Sequence, residues 1–277
     1  MTADTRIHPS AVVEDGARLG AGVQVGPFCH VGPHVELGDG VELVGHVSIT
    51  GRTALGAGSR VFPHAVLGGP PQNVRHKGAP TMLVIGRDCV IREGATINLG
   101  SDNSRGETLV GDRLYMMANA HIAHDCVVGN NVTMANSVAL GGHVEIGDFV
   151  NIGGFVGIHQ FTRIGHHAFL AGAAAIDGDV IPYGMAFGNR ARLRGFNVIG
   201  IKRSGLPRSE LAALRAAYRV LFSHEAPLTE TAVRAKAEFP QSQAVLDVVD
   251  FILSRGKRHF TVPDPDDDGD DHAGDES

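Results

Sequence analysis

The sequence predicts a mainly β protein, a parallel β-helix that gives way to a small α-helical C-terminal domain. Three observations predict it. An apolar side chain recurs at every sixth position, first from Ile7 through Val13, Leu19 and Val25 to Leu67, then from Val110 to Ile176. Glycine is abundant, 37 of 277 residues, and often follows that apolar residue, as at Gly20, Gly26, Gly32 and Gly38. Beyond about residue 185 the period of six ends, and apolar residues fall instead at helical spacing.

A helix of 3.6 residues per turn cannot hold a period of six on one face, and plain two-residue alternation would not demand a turn every six. The position four after each aliphatic is mostly small or β-branched (Ala11, Ala17, Val23, Cys29, Val35, Val41). The glycines sit where tight turns need them. Hexapeptides of this kind build a parallel β-helix in which three repeats close one triangular coil of 18 residues, with coils about 4.8 Å apart. This version resembles the left-handed β-helix family, an exception to the right-handed crossover rule. The prism is expected over 1–185, with loops inserted where the period breaks, at 68–81 ("GGPPQNVRHKGAPT") and 99–108.

A connector over 186–204 should lead to a helical domain over 205–258. There "LPRSELAALRAAYRVLFSH" spaces Leu211, Leu214, Tyr218, Leu221 and Phe222 as one helix, with a proline near its start. Two further helices follow in "TETAVRAKAEF" and "SQAVLDVVDFILSR", the latter with Ser242 as N-cap. Residues 259–277 are expected to be a disordered acidic tail.

Hydrophobic residues make up 43% of the chain, enough for a substantial core. Cys29, Cys89 and Cys126 are odd in number and form no CxxC pair, which disfavours a disulfide framework or a cysteine zinc site. No apolar run approaches a membrane span, and "MTADTRIHPS" lacks signal-peptide blocks, so a cytoplasmic protein is expected. The net charge of −6 misleads, because removing the eight acids of "DPDDDGDDHAGDES" turns it into +2. Residues 190–258 hold 13 Lys or Arg against six acids. Such a region suits an acidic partner, although solvated helix faces would account for the charge as well.

"NAHIAHDC" (119–126) holds two histidines three apart, the second followed by an aspartate. Ile122, Leu140 and Ile158 are separated by 18 each and should stack on one corner of successive coils. His124, His143 and His159 follow them by two, three and one residues, and His121 precedes Ile122. Four imidazoles should therefore rise as a loose column along one edge. Two readings compete. Stacked histidines could bind zinc, as in the γ-class carbonic anhydrases, which share the prism. Alternatively, one is a general base and the others bind a polar substrate.

"VGPFCHVGPHVELGDG", "PPQNVRHKGAPT", "NAHIAHDCVVGN", "ALGGHVEIGD", "GIHQFTRIG" and "GFNVIGIKRSG" together resemble the UDP-N-acetylglucosamine acyltransferases that begin lipid A synthesis. The resemblance runs in order from about residue 7 to 258. It implies transfer of a 3-hydroxyacyl chain from acyl carrier protein to the 3-position of UDP-N-acetylglucosamine. By resemblance, His124 is the general base, Asp125 orients it, and the Gly142 N–H receives the thioester oxyanion. Gln72, Asn73 and Arg75 would reach the sugar or phosphate, with His121 beside the sugar. Asn98, His143, His159 and Gln160 would line the cleft, Asn197 and Arg203 would meet the nucleotide, and Gly172 leaves room for a long acyl chain. The resemblance implies a homotrimer with shared clefts, and neither cofactor, metal nor nucleic acid. The chain departs from the family pattern at Asn73 (commonly Asp), Arg75 (often Lys), Asn98 (often His) and Ser204 (a second Arg). The first and third of these leave open a 3-amino sugar acceptor and an amide product.

Overall fold

A computed structural model describes residues 4–254 and 256–264. Parallel strands, mostly two residues long, stack into three sheets that form the faces of a triangular left-handed prism. The first face starts with Arg6–Ile7, the second with Val12–Val13 and the third with Arg18–Leu19, and each face recurs one coil later. Register is set by the 18-residue period, as in Arg6 against Gln24 and Ile7 against Val25. Ile122, Leu140 and Ile158 pair in line. They lie within the second face, not at a corner as the spacing alone suggested.

The core is the inside of the prism. The repeating aliphatic and the residue two before it both point inward and are buried, as with Val23 and Val25 or Val47 and Ile49. Burying one such side chain stabilises by roughly 1.5–3 kcal/mol, and the repeat does this twice per hexapeptide. Among these pairs only the first coil stands open, with Ile7 48% exposed.

The glycines after the aliphatics do a different job from the one expected. Gly20, Gly26 and Gly38 do not have positive φ. They are needed because the next coil passes too close: a Cβ on Gly26 would sit 2.1 Å from the Val44 carbonyl oxygen. The left-handed conformation falls two residues later, at Gly22, Phe28, Gly40 and His46. At these corners a non-glycine residue costs about 1–2 kcal/mol. Stacking of rings down each edge offsets part of it, at about 0.5–1.5 kcal/mol a pair. Phe28, His46 and His64 stack along one edge, with centroids 4.9 and 5.3 Å apart. Phe149, His167 and Tyr183 stack along another at 4.8 and 5.4 Å.

Both inserted loops leave the edge between the second and third faces. Strand Val66–Gly69 pairs with Thr96–Asn98 across 30 residues, with a bulge between Leu67 and Gly69 where the first loop leaves, and Met82–Ile85 pairs with Glu107–Val110 across 25 in continuous register. His124, His143 and Gln160 lie at turns of this same edge.

The span 186–204, read as a connector, contains ordered elements. Gly184–Phe187 and Arg192–Phe196 form an antiparallel hairpin on the last coil. Helix α1 (Val198–Arg203) follows, then α2 (Arg208–Leu221), α3 (Leu228–Glu238) and α4 (Gln243–Leu253). The Ser242 hydroxyl caps α4 by accepting from the Val245 N–H at 3.3 Å. The chain then turns back. Residues 259–264, read as part of the tail, return to the prism: the Asp179 N–H donates to the His259 carbonyl at 2.7 Å, and the Thr261 N–H to that of Asp179 at 2.8 Å. Residues 265–277 lie outside the described residues.

Candidate active site

The insertion 99–108 folds against the corner at Asp125, a residue in left-handed conformation (φ 61°) whose side chain is fully buried. One carboxylate oxygen accepts from the Ser101 N–H and the Gly106 N–H, both at 3.1 Å. The other accepts from the Ser101 hydroxyl at 2.5 Å and from His124 Nδ1 at 2.7 Å. The Asp125 N–H itself donates to Thr108 Oγ1 at 2.9 Å. Burial alone would raise this carboxyl's pKa. The hydrogen bonds from Ser101 and His124, with the nearby His143, outweigh burial and hold the pKa below the ordinary carboxylate value. Asp125 therefore stays ionised and accepts a hydrogen bond from Nδ1–H of His124, which leaves Nε2 as a lone-pair acceptor.

His124 Nε2 lies over Gly142, where a Cβ would approach it to 2.8 Å. Among the described residues nothing accepts from the Gly142 N–H. One coil of the edge thus presents a base, and the next presents a free backbone donor beside it.

His143 stands behind His124, edge to face at 5.2 Å, and stacks on Phe161 at 4.3 Å with an 8° tilt. Its Nε2 is 3.9 Å from Asp125, and its Nδ1 meets the Ser104 hydroxyl at 3.2 Å. Burial lowers its pKa more than Asp125 raises it. His121 points outward from the second face, with Nδ1 2.7 Å from the Thr96 hydroxyl. Burial and then His124 lower its pKa, so it is a neutral hydrogen-bonding group at pH 7.

An open cleft of about 680 Å³ gathers Gln72, His121, His124, Gly142, His159 and Gln160. Its floor is the second face, where the outward residues shrink from His121 to Ala139, Gly157 and Ala175. A Cβ on Gly157 would meet nothing within 4 Å. The four histidines therefore do not form one column: His124 and His143 meet edge to face, while His121 and His159 stand on the cleft wall.

The other expected site residues lie apart. Asn73 ties the two loops together, donating to Asn103 of the second loop at 3.2 Å and accepting from the Arg75 N–H of its own at 3.0 Å, and Arg75 is exposed. Asn98 is buried beneath the loop, and its Oδ1 accepts from no described residue. Gly172 lies at the edge between the first and second faces, against Gly153 and Gly154. Asn197 caps α1, accepting from the Gly200 N–H and donating to the His167 carbonyl. Arg203, in the last turn of α1, is exposed. Within one chain, neither Asn197 nor Arg203 lines the cleft.

A family model described as UDP N-acetylglucosamine O-acyltransferase, domain 2, matches residues 179–261, and a bacterial transferase hexapeptide model matches 16–51. An acyl-[acyl-carrier-protein]–UDP-N-acetylglucosamine O-acyltransferase of Mesorhizobium japonicum is 57% identical over 263 residues, 95% of this chain and 94% of that one. That of Bartonella henselae is 53% identical over 94% of each. The chain belongs to this acyltransferase family. The solved structure of the UDP-N-acetylglucosamine acyltransferase from Campylobacter jejuni superposes with TM-score 0.88 at 40% identity, covering 94% of this chain and all of that one.

Several groups around this cleft carried no sequence signal. Ser101, Gly106 and Thr108 hold Asp125 only because an insertion folds back on a later coil. Asp177 and Arg190 line the cleft, and Lys257 lies over the Phe161 ring at 4.3 Å. The one available hint was the phase of the insertions, which fall on the same edge as "HD" and "GGH".

Proposed function

We propose that this chain transfers a 3-hydroxyacyl group from acyl carrier protein to the 3-hydroxyl of UDP-N-acetylglucosamine. The observation that carries the reading is the trio of buried Asp125, His124 with Nε2 free of partners among the described residues, and the Gly142 N–H beside it, likewise unpaired among them. In this reading His124 Nε2 takes the proton of the sugar hydroxyl as its oxygen attacks the thioester carbonyl. The oxyanion that forms accepts from the Gly142 N–H, a contribution worth about 10²–10³ in rate at comparable sites. The intermediate then collapses, the C–S bond breaks, and the imidazolium gives its proton to the departing sulfur, so that the carrier leaves as its thiol and His124 returns to the neutral base. Asp125 fixes the tautomer and stabilises that cation without itself becoming protonated.

His121, His159, Gln160 and Gln72 bind the polar parts of the substrates, and the small floor at Ala139 and Gly157 receives apolar chain. Asn197 and Arg203 serve the cleft of a neighbouring subunit in a homotrimer, which explains why one chain does not bring them to its own cleft. Among the described residues no helix is long and apolar enough to cross a membrane. Both proposed substrates are soluble, and a cytoplasmic location follows for the reading.

The zinc alternative has donors to draw on, since ligand atoms of His124, Asp125 and His143 lie within 4.8 Å of one another. Each Asp125 oxygen already takes two donors, however, so a cation there would have to displace Ser101 or His124. Mass spectrometry of the products tests the reading, with UDP-N-acetylglucosamine and its 3-amino analogue offered against a series of 3-hydroxyacyl carrier proteins. An ester is expected. An amide alone would mean a retuned acceptor site, and no product from either sugar would overturn the proposal.

A further inference from the structure

The segment that returns from α4 to the prism contributes a group to the cleft wall. It is stitched down on both sides of residue 258. Arg163 donates to the buried Asp179 at 2.7 Å and to Ser254 Oγ at 2.9 Å, fixing the end of α4. The exchange between Asp179 and residues 259–261 and the bond from Thr261 Oγ1 to the Gly178 carbonyl hold the next strand. Arg258 is therefore placed by backbone anchored before and after it. Its guanidinium forks onto the turn that follows strand Gly157–Ile158. Nε donates to the Gln160 carbonyl at 2.9 Å, and a terminal nitrogen contacts His159 Nδ1.

A guanidinium has only donors and stays charged. The ring nitrogen facing it must be an unprotonated acceptor, so the proton of a neutral His159 is on Nε2. The competing arrangement is also present in the geometry: His159 Nδ1 is 3.2 Å from the Gln160 carbonyl. Without Arg258, Nδ1–H would donate to that carbonyl, and Nε2 would become an acceptor. Arg258 occupies the carbonyl and blocks the Nδ1 proton at once.

We propose that Arg258 is a positioning residue that fixes His159 as the Nε2–H tautomer, making this part of the cleft a neutral hydrogen-bond donor for an acceptor oxygen of a substrate. The inference rests on the acyltransferase reading for the word substrate and on nothing else in it. Other charged or titratable groups around this wall are Asp177 with His259 at 3.7 Å, Arg190, and Lys257 over Phe161. None of the four is placed against His159 Nδ1 as Arg258 is.

The test uses the full-length chain with 15N-labelled histidine. Two-bond proton–nitrogen spectra assign the His159 tautomer, with His159→Gln identifying the signals, and need no substrate. Wild type should show protonated Nε2 and bare Nδ1, and Arg258→Met should shift protonation toward Nδ1. In steady-state assays Arg258→Met should raise one substrate's KM about tenfold, the loss of one hydrogen bond, with kcat nearly unchanged. Arg258→Lys, which keeps a charged donor, should recover part of it. The double variant His159→Gln/Arg258→Met should be no worse than His159→Gln alone. A wild-type His159 protonated on Nδ1, or an Arg258→Met protein with unchanged tautomer and KM, would overturn the proposal. Absence of acyl transfer in wild type with the tautomer shift intact would instead remove the acyltransferase reading and leave the positioning role standing.

Discussion

The imidazole of His124 lies in the space that a side chain on Gly142 would occupy. A Cβ built there falls 2.7 Å from the ring's Cε1 and 2.8 Å from Nε2, closer than unbonded carbons and nitrogens approach. Gly142 does not have positive φ. The position needs glycine for access: the base on one coil lies flat over the backbone donor on the next.

Gly142→Ala should therefore cost activity without unfolding the chain. The methyl pushes the imidazole away from the reaction centre, and a displacement of about 1 Å costs on the order of 10² in rate. A kcat reduced by 10² or more with a melting temperature close to wild type is the expected pair of results. An alanine variant of near-normal kcat would separate His124 from the chemistry.

Asp125→Asn should be worse than Ser101→Ala on both counts. An amide offers one acceptor oxygen where the carboxylate uses two, so some of the four donors around it lose their partner in a buried site. Each donor so stranded costs roughly 1–3 kcal/mol. His124 also loses the charge that selects its tautomer, a change worth about 10⁴ in kcat in comparable dyads. Ser101→Ala should lower stability by about 1–2 kcal/mol and kcat only modestly. Denaturant unfolding and initial rates measure both.

His124→Ala and Arg203→Ala chains should complement each other. Each homogeneous assembly lacks one required group at every cleft. In randomly mixed trimers about a quarter of the clefts would pair an intact His124 with an intact neighbouring Arg203. Co-expression recovering roughly that fraction supports a shared cleft, whereas no recovery places both groups in one chain's site.

Stability should fall as pH drops below neutrality. Burial lowers the pKa of His121, His143, His166 and His167 in the folded state. His166 is also drawn upward by Asp247, with Nε2 3.6 Å from the carboxylate, but burial wins. A depressed histidine pKa means that the unfolded chain binds more protons below about 6.5, so unfolding gains. Thermal melts between pH 7.5 and 5.5 should decline toward acid. A flat or rising profile would contradict the assigned burial of these rings.

The prism was legible because its cause is periodic. From Val23 to Ile176 the coils repeat a two-position burial pattern, and the 18-residue period places Leu140 over Ile122 without any tertiary information. The reason for the glycines was not legible, because whether Gly26 is kept for φ or for the nearness of Val44 depends on coil spacing. At the site, "HIAHDC" pointed to His124 and Asp125. The sequence could not show that Asp125 is saturated by Ser101 and Gly106, since those contacts join an aperiodic loop to a later coil. Arg258 was invisible for the same reason: it reaches His159 across 99 residues, through a segment that read as the end of a helix and the start of a tail.

The two insertions add length to the chain without changing the phase of the coils. The paired residues are offset by 30 and 25 positions instead of 18, yet Val66 still meets Thr96 and Met82 still meets Glu107, with a single irregularity between Leu67 and Gly69. The coils that carry His124 and Gly142 keep their phase through both loops, and of the two loops it is 99–108 that supports the base, through Ser101 and Gly106 on Asp125. Loop 68–81 rests on loop 99–108, with the Lys77 and Ala79 N–H groups donating to Asp102 and Asn73 to Asn103, so a change in its sequence that spares those contacts alters what the cleft admits while the base and its donor keep their geometry. Heredity has in this edge a place to vary recognition without re-inventing the chemistry, and protein engineers have the same opening.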